Sequence, residues 1–94
     1  MEEEIPLVII DRGDTDKYIS LIMRKMAHQE VTKLKMQVKA NSDYVGEAKI
    51  IADIINWSGY ELQDEPKERK IYTQKGNPMR VIEYNFRKIL AIRN

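Results

Sequence analysis

Residues 31–40, VTKLKMQVKA, alternate strictly: Leu34, Met36, Val38 and Ala40 fall on one side, Lys33, Lys35, Gln37 and Lys39 on the other. A period of two predicts a strand with one wet face. The run IPLVII at 5–10 is continuously apolar, rich in β-branched residues and closed by DRGD, which suits a buried strand. Between these segments, Ile19, Ile22, Met23 and Met26 recur at helical spacing. They predict a helix over about 15–28, capped by Asp14 or Thr15, with its methionines filling the core. A second helix is predicted over about 43–57 from Val45, Ala48, Ile51, Ala52 and Ile55. Ser42 or Asn41 supplies its N-cap, Asp43 suits its first turn and Gly59 its C-terminal end. Ile50, Ile54 and Trp57 widen its apolar surface beyond one stripe, so this helix is expected to be covered on a second side by a partner subunit.

A third strand is predicted from Tyr60, interrupted at Pro66 and resumed through RKIYTQ at 69–74. KGNP at 75–78 is the turn, and a fourth strand follows over 79–92. In that strand Ile82, Tyr84 and Phe86 point inward, and Val81, Glu83, Asn85 and Arg87 outward. The order is β-α-β-α-β-β, an α+β two-layer fold with two helices on one face of a four-stranded mixed sheet. The antiparallel pairing of 69–74 with 79–86 is central to it. Residues 1–94 form one domain with a hairpin arm at about 67–82. The expected core is Ile19, Ile22, Leu34, Met36, Val38, Ala48, Ile51, Ile82, Tyr84 and Phe86.

Ninety-four residues bury only about 60–65% of their unfolded surface, so oligomerisation would help this chain. The apolar surplus of Ile50, Ile54, Trp57 and Ile89 predicts a two-fold dimer through the second helix and the last strands. The 43% hydrophobic and 33% charged content is that of a soluble globular protein. The chain has no cysteine, which excludes disulfides, a thiol nucleophile and thiolate metal sites. No apolar run approaches the roughly 18 residues that span a bilayer. The start, MEEEIPLVII, is acidic where a secretory signal is basic, so a cytoplasmic protein is expected.

The net charge of +1 hides an asymmetry. Residues 1–65 carry 8 Lys+Arg against 13 Asp+Glu, a balance of −5; residues 66–94 carry 8 against 2, a balance of +6. Such a division permits a basic binding surface on a nearly neutral chain. Lysine ladders such as Lys33, Lys35 and Lys39 ordinarily keep a sheet face soluble. Tyr72 suits either stacking on a base or sugar or cross-strand packing.

Catalytic chemistry finds little support. His28, the only histidine, stands near a helix end, where it meets the helix dipole comfortably. The four glycines are scattered and build no phosphate loop. The pairs Asp11 with Asp14 and Asp64 with Glu65 lie beside basic residues and read as solvated charge. No enzyme, cofactor, metal or small-molecule substrate is expected.

The element order and the ending VIEYNFRK at 81–88 resemble the Alba family of archaeal chromatin proteins, whose last strand commonly carries Ile-Glu-x-x-x-Arg-Lys. Ile82, Glu83, Arg87 and Lys88 match that pattern. The spacing from Ile10 to Tyr18 is similar to the family's first strand-to-helix loop, and VKA at 38–40 with Ala48, Ile54 and Ile55 to its second strand and helix. The resemblance implies a homodimer that binds the backbone of DNA or RNA with little sequence preference. It implies a basic first loop over the duplex, a hairpin arm that often enters a minor groove, and a dimer interface from the second helix and last strands. The candidate nucleic-acid contacts are then Arg12 and Lys17 near the first loop and Lys67, Arg69, Lys70, Lys75 and Arg80 on the hairpin. DNA binding would place the protein at the nucleoid.

The chain departs from the family on its body. The loop's usual Lys-Lys pair is replaced by Arg12 and Gly13 among Asp11, Asp14 and Asp16. No lysine matches the loop lysine that some members acetylate. The Arg-Gly-Arg before the second helix is replaced by Asn41, Ser42 and Asp43, and a basic helix position by Glu47. Each change removes a phosphate contact or adds repulsion. Positive charge remains on the hairpin. The alternative is an Alba-like protein-interaction subunit, the acidic partner of a more basic paralogue in a heterodimer, with weak or no nucleic-acid binding.

Overall fold

The computed structural model describes residues 5–11, 13–27 and 32–89. Strand β1 (Leu7–Ile10) leads into helix α1 (Thr15–Met26), strand β2 (Lys33–Lys39) and helix α2 (Val45–Trp57). Strands β3 (Tyr60–Leu62), β4 (Lys67–Tyr72) and β5 (Pro78–Lys88) follow. Asp14 caps α1 by accepting from the Lys17 amide. Helix α2 begins at Val45 after Tyr44, later than expected, with no side-chain cap bond. Ser42 instead closes the preceding turn: its hydroxyl donates to the Lys39 carbonyl at 2.8 Å and accepts from the Tyr44 amide. Beyond the other end of α2, Gly59 takes φ +99, a left-handed conformation that a side chain rarely adopts.

The strands build one mixed sheet in the order β1-β2-β5-β3, with β4 also on β5. β1 runs parallel to β2, and β5 is antiparallel to β2, β3 and β4. Among the described residues the sheet therefore has five strands, not four. The expected third strand is two: Gln63–Pro66 separates β3 from β4, and each takes a different stretch of β5. Proline lacks the amide proton of a continuous ladder, so the break falls beside Pro66. The anticipated antiparallel pairing of the hairpin is present, from Lys67 opposite Glu83 to Tyr72 opposite Pro78. The turn sits earlier than 75–78: Thr73 donates its amide to Asn77, Gly76 donates to Thr73, and Pro78 already belongs to β5. The expected extension to residue 92 lies partly outside the described residues.

Alternation sets which residues form the inner face, but on the other face Gln37, Val81 and Glu83, expected to point outward to solvent, are buried too. Leu34, Met36 and Val38 of β2, Val8 and Ile10 of β1, and Tyr84 and Phe86 of β5 form the inner face. Ile22 and Tyr18 of α1 and Ala48, Ile51 and Ile55 of α2 pack on it, with Ile19, Met26 and Ile82 partly buried at its margin. Met23, expected on the buried stripe, is 41% exposed. Tyr18 takes its place on the inner helix face and ties its hydroxyl to Asp11 Oδ1 at 2.6 Å. His28 lies outside the described residues. No described helix is long and apolar enough to cross a membrane.

Candidate nucleic-acid interface

β5 is eleven residues long, and β2 pairs with it only over Val81–Arg87. Its first residues, Pro78–Arg80, therefore run past the end of β2, paired with Lys70–Tyr72. This projecting half of the hairpin is the arm. Gly76 at its tip has φ +85, the conformation that closes the turn. Along the arm, from the end of β2 to the turn, Lys39, Asn41, Thr73, Pro78, Met79 and Arg80 line an open groove of about 360 Å³.

Register sorts the arm's cations onto two faces. Lys70 lies directly opposite Arg80, and Tyr72 opposite Pro78, so Lys70, Tyr72 and Arg80 share one face. Directly opposed like charges destabilise a strand pair. Neither Lys70 nor Arg80 joins a carboxylate in an ion pair among the described residues. Tyr72, 67% exposed, lies beside them, so cross-strand packing leaves most of its ring uncovered. Lys75 is exposed at the tip.

Lys67 and Arg69 point the other way, at the arm's root. Arg69 lies against Glu83, its Nη1 donating to Oε2 at 2.9 Å and Oε1 at 3.2 Å. Gln37 Nε2 donates to Oε1 at 2.8 Å, Asn85 Nδ2 to Oε2 at 3.3 Å, and Lys35 Nζ stands 3.8 Å away. Burial alone would push the Glu83 carboxyl up. The donors from Gln37, Arg69 and Asn85 and the Lys35 charge outweigh it and hold Glu83 below its ordinary value. Arg69 is thus both a cation of the hairpin and the brace that fixes the arm to the sheet.

The first loop is arranged differently. Arg12 lies outside the described residues. Lys17, in the first turn of α1, shares a hollow of about 270 Å³ with Asp11, Asp14, Tyr18, Leu21 and Arg24 and is not on the arm. Glu47 of α2 accepts from Thr15 Oγ1 at 3.2 Å, and a Cβ on Gly13 would meet its Oε1 at 3.1 Å. The body thus presents carboxylates at this loop, and the arm presents cations.

Of the expected dimer residues, Ile50 and Ile89 are about half exposed, Trp57 is 83% exposed and Ile54 is partly buried. Ile50, Ile54 and Trp57 share α2, whose opposite side is sealed by Ala48, Ile51 and Ile55. Sequence reasoning missed the Glu83 cluster. Its one signal was Gln37, the break in the lysine ladder, which faces Glu83 across the strands.

No protein-family model matches this chain, and no curated protein does. Solved structures do. Alba from Thermoplasma volcanium superposes with a TM-score of 0.63 over 87% of this chain and 99% of that one, at 10% identity. At that identity the likeness establishes a shared, Alba-like fold.

Proposed function

We propose that this protein binds the backbone of nucleic acid through its hairpin arm, with little sequence preference. The carrying observation is the unpaired Lys70–Arg80 opposition beside exposed Tyr72. A like-charge cross-strand pair lowers stability, and a bound phosphate between the two cations removes that cost. Arms of this kind position a protein on phosphates and read no bases, because Lys70, Lys75 and Arg80 contact charge alone. Tyr72 adds a flat ring for a sugar or base. Glu83, through Arg69, keeps the root of the arm in register while the tip engages. The resemblance of VIEYNFRK to the Alba family, together with the shared fold, supports this reading.

The working unit in this proposal is a two-fold dimer built on the exposed face of α2, which covers Ile50, Ile54 and Trp57 and supplies two arms. Its place is the cytoplasm, at the nucleoid where the ligand is DNA. The carboxylates of the first loop keep polyanions off that part of the body, so the arm carries most of the affinity. Fluorescence anisotropy on several unrelated duplexes tests the proposal with the variant Lys70→Gln/Lys75→Gln/Arg80→Gln. The expected result is a loss of affinity that is equal across sequences. Unchanged binding, or loss on one sequence alone, would overturn it.

A further inference from the structure

The helix-free face of the sheet gathers cations that the sequence scatters over three strands. β2 supplies Lys33, Lys35 and Lys39, β4 supplies Lys67 and Arg69, and β5 supplies Arg87, all on the same side by register. The carboxylates on those strands' shared face are Glu83 and, from β3, Glu61. Among the described residues, six cations against two carboxylates leave the face at +4. Glu83 is buried and occupied by Arg69 and Lys35, and Glu61 stands 3.7 Å from Arg87. Lys33, Lys39 and Lys67 are exposed and join no carboxylate in an ion pair among the described residues.

We infer that this face docks single-stranded nucleic acid, as a surface separate from the face of the arm that holds Lys70 and Arg80. The inference rests on the reading of the chain as a nucleic-acid binder but uses other residues. Its basis is shape together with charge. Strands lie about 4.8 Å apart and same-face residues about 6.7 Å apart, so the cations spread over a plane of roughly 10 by 20 Å. A duplex keeps its bases stacked behind its phosphates and can use only the charge of this face. A single strand lies flat and brings successive phosphates to both the β2 row and the β4 row. Beside the β2 row, Leu7 and Ile9 of the edge strand are exposed on this same face, with Leu7 next to Lys35 and Ile9 next to Gln37. They give unstacked bases an apolar surface. Tyr60, Tyr84 and Phe86 all point into the core, so among the described residues this face offers no ring for stacking. Glu83 keeps one of the cations fixed, since its bonds to Gln37 and Arg69 set the Arg69 side chain before any ligand arrives.

The test uses the full chain and the variant Lys33→Gln/Lys39→Gln/Lys67→Gln, alongside Lys70→Gln/Lys75→Gln/Arg80→Gln. The probes are a 20-nucleotide oligo(dT), a 20-base-pair duplex and a poly-glutamate peptide. With about 0.7 counterions released per single-strand contact, loss of three contacts lowers the log–log salt slope for oligo(dT) by about 2. Affinity for oligo(dT) falls by at least ~10-fold, duplex affinity by less than about twofold, and replacement of the same lysines by arginine preserves both. All three positions are exposed, and an unchanged circular dichroism spectrum verifies the fold. Unchanged oligo(dT) binding in the sheet-face variant overturns the inference, as does an equal loss on duplex. Displacement of oligo(dT) by poly-glutamate at matched charge also overturns it, in favour of an acidic protein partner. The arm variant on duplex reads the arm separately: if it loses duplex binding while the sheet-face variant keeps oligo(dT), this inference falls and the arm reading stands.

Discussion

Replacing Glu83 by Gln removes one charge and leaves the shape of the side chain intact. Both carboxylate oxygens accept in the native sheet: Oε1 from Gln37 and Arg69, Oε2 from Arg69 and Asn85. Gln37 and Asn85 can rotate their amides to meet a new donor, but Arg69 has no acceptor to offer. Either orientation of the new amide therefore puts an N–H against the guanidinium. A hydrogen bond to a charged group is worth about 1.5–3 kcal/mol. The Arg69 side chain is 54% exposed and can turn to water, so the lower end applies, about 1.5 kcal/mol. With a urea slope of about 1–3 kcal/mol per molar, the midpoint drops by about 1 M at pH 7. The sign of the pH dependence follows from the lowered native value of Glu83. Its contribution is complete above the ordinary glutamate value and disappears as pH falls through the lowered one. Parent and variant therefore converge in acid. Urea melts of both proteins from pH 7 downward measure this directly. Equal midpoints at pH 7, or a gap that widens in acid, would refute the account of this cluster.

Lys70→Glu turns the like-charge opposition with Arg80 into an ion pair, which should raise stability by about 0.2–1 kcal/mol in urea melts while weakening duplex binding. A destabilised variant, or one that binds more tightly, contradicts the reading of the arm. Ile51→Ala opens the centre of the core, where Ile51 is fully buried, and should cost about 2–5 kcal/mol by the same measurement. Ile50→Glu/Ile54→Glu should shift sedimentation at micromolar concentration from dimer to monomer without changing the circular dichroism spectrum. A parent protein that is already monomeric removes the dimer from the account.

Legibility followed the physics of each segment. The β2 ladder and the inner face of β5 were readable because strict alternation admits one phase, and Leu34, Met36, Tyr84 and Phe86 are buried as expected. The α1 stripe was only partly readable: Ile19, Ile22, Met23 and Tyr18 lie within one turn and a half, and a rotation of the helix exchanged Met23 for Tyr18. Pro66 marked the strand break, but only the pairing along β5 shows that both halves remain in the sheet. The cations of the arm were visible as residues. Their division between two faces was not, because it depends on a register that sets Lys70 against Arg80 and Lys67 against Glu83. The Glu83 cluster joins β2, β4 and β5, and no local pattern encodes a contact across three strands.

The central claim, that the arm is a phosphate clamp, is tested most directly by the salt dependence of duplex binding. Parent and Lys70→Gln/Lys75→Gln/Arg80→Gln should each give a straight line of log affinity against log salt. Each phosphate contact contributes about 0.9 to the slope, so the variant's line should be shallower by about 2.7 for each arm engaged, about 5.4 for both arms of the dimer, if all three cations touch phosphate. Two parallel lines, with the variant merely displaced or not displaced at all, would contradict the claim, because the arm would then release no counterions on binding.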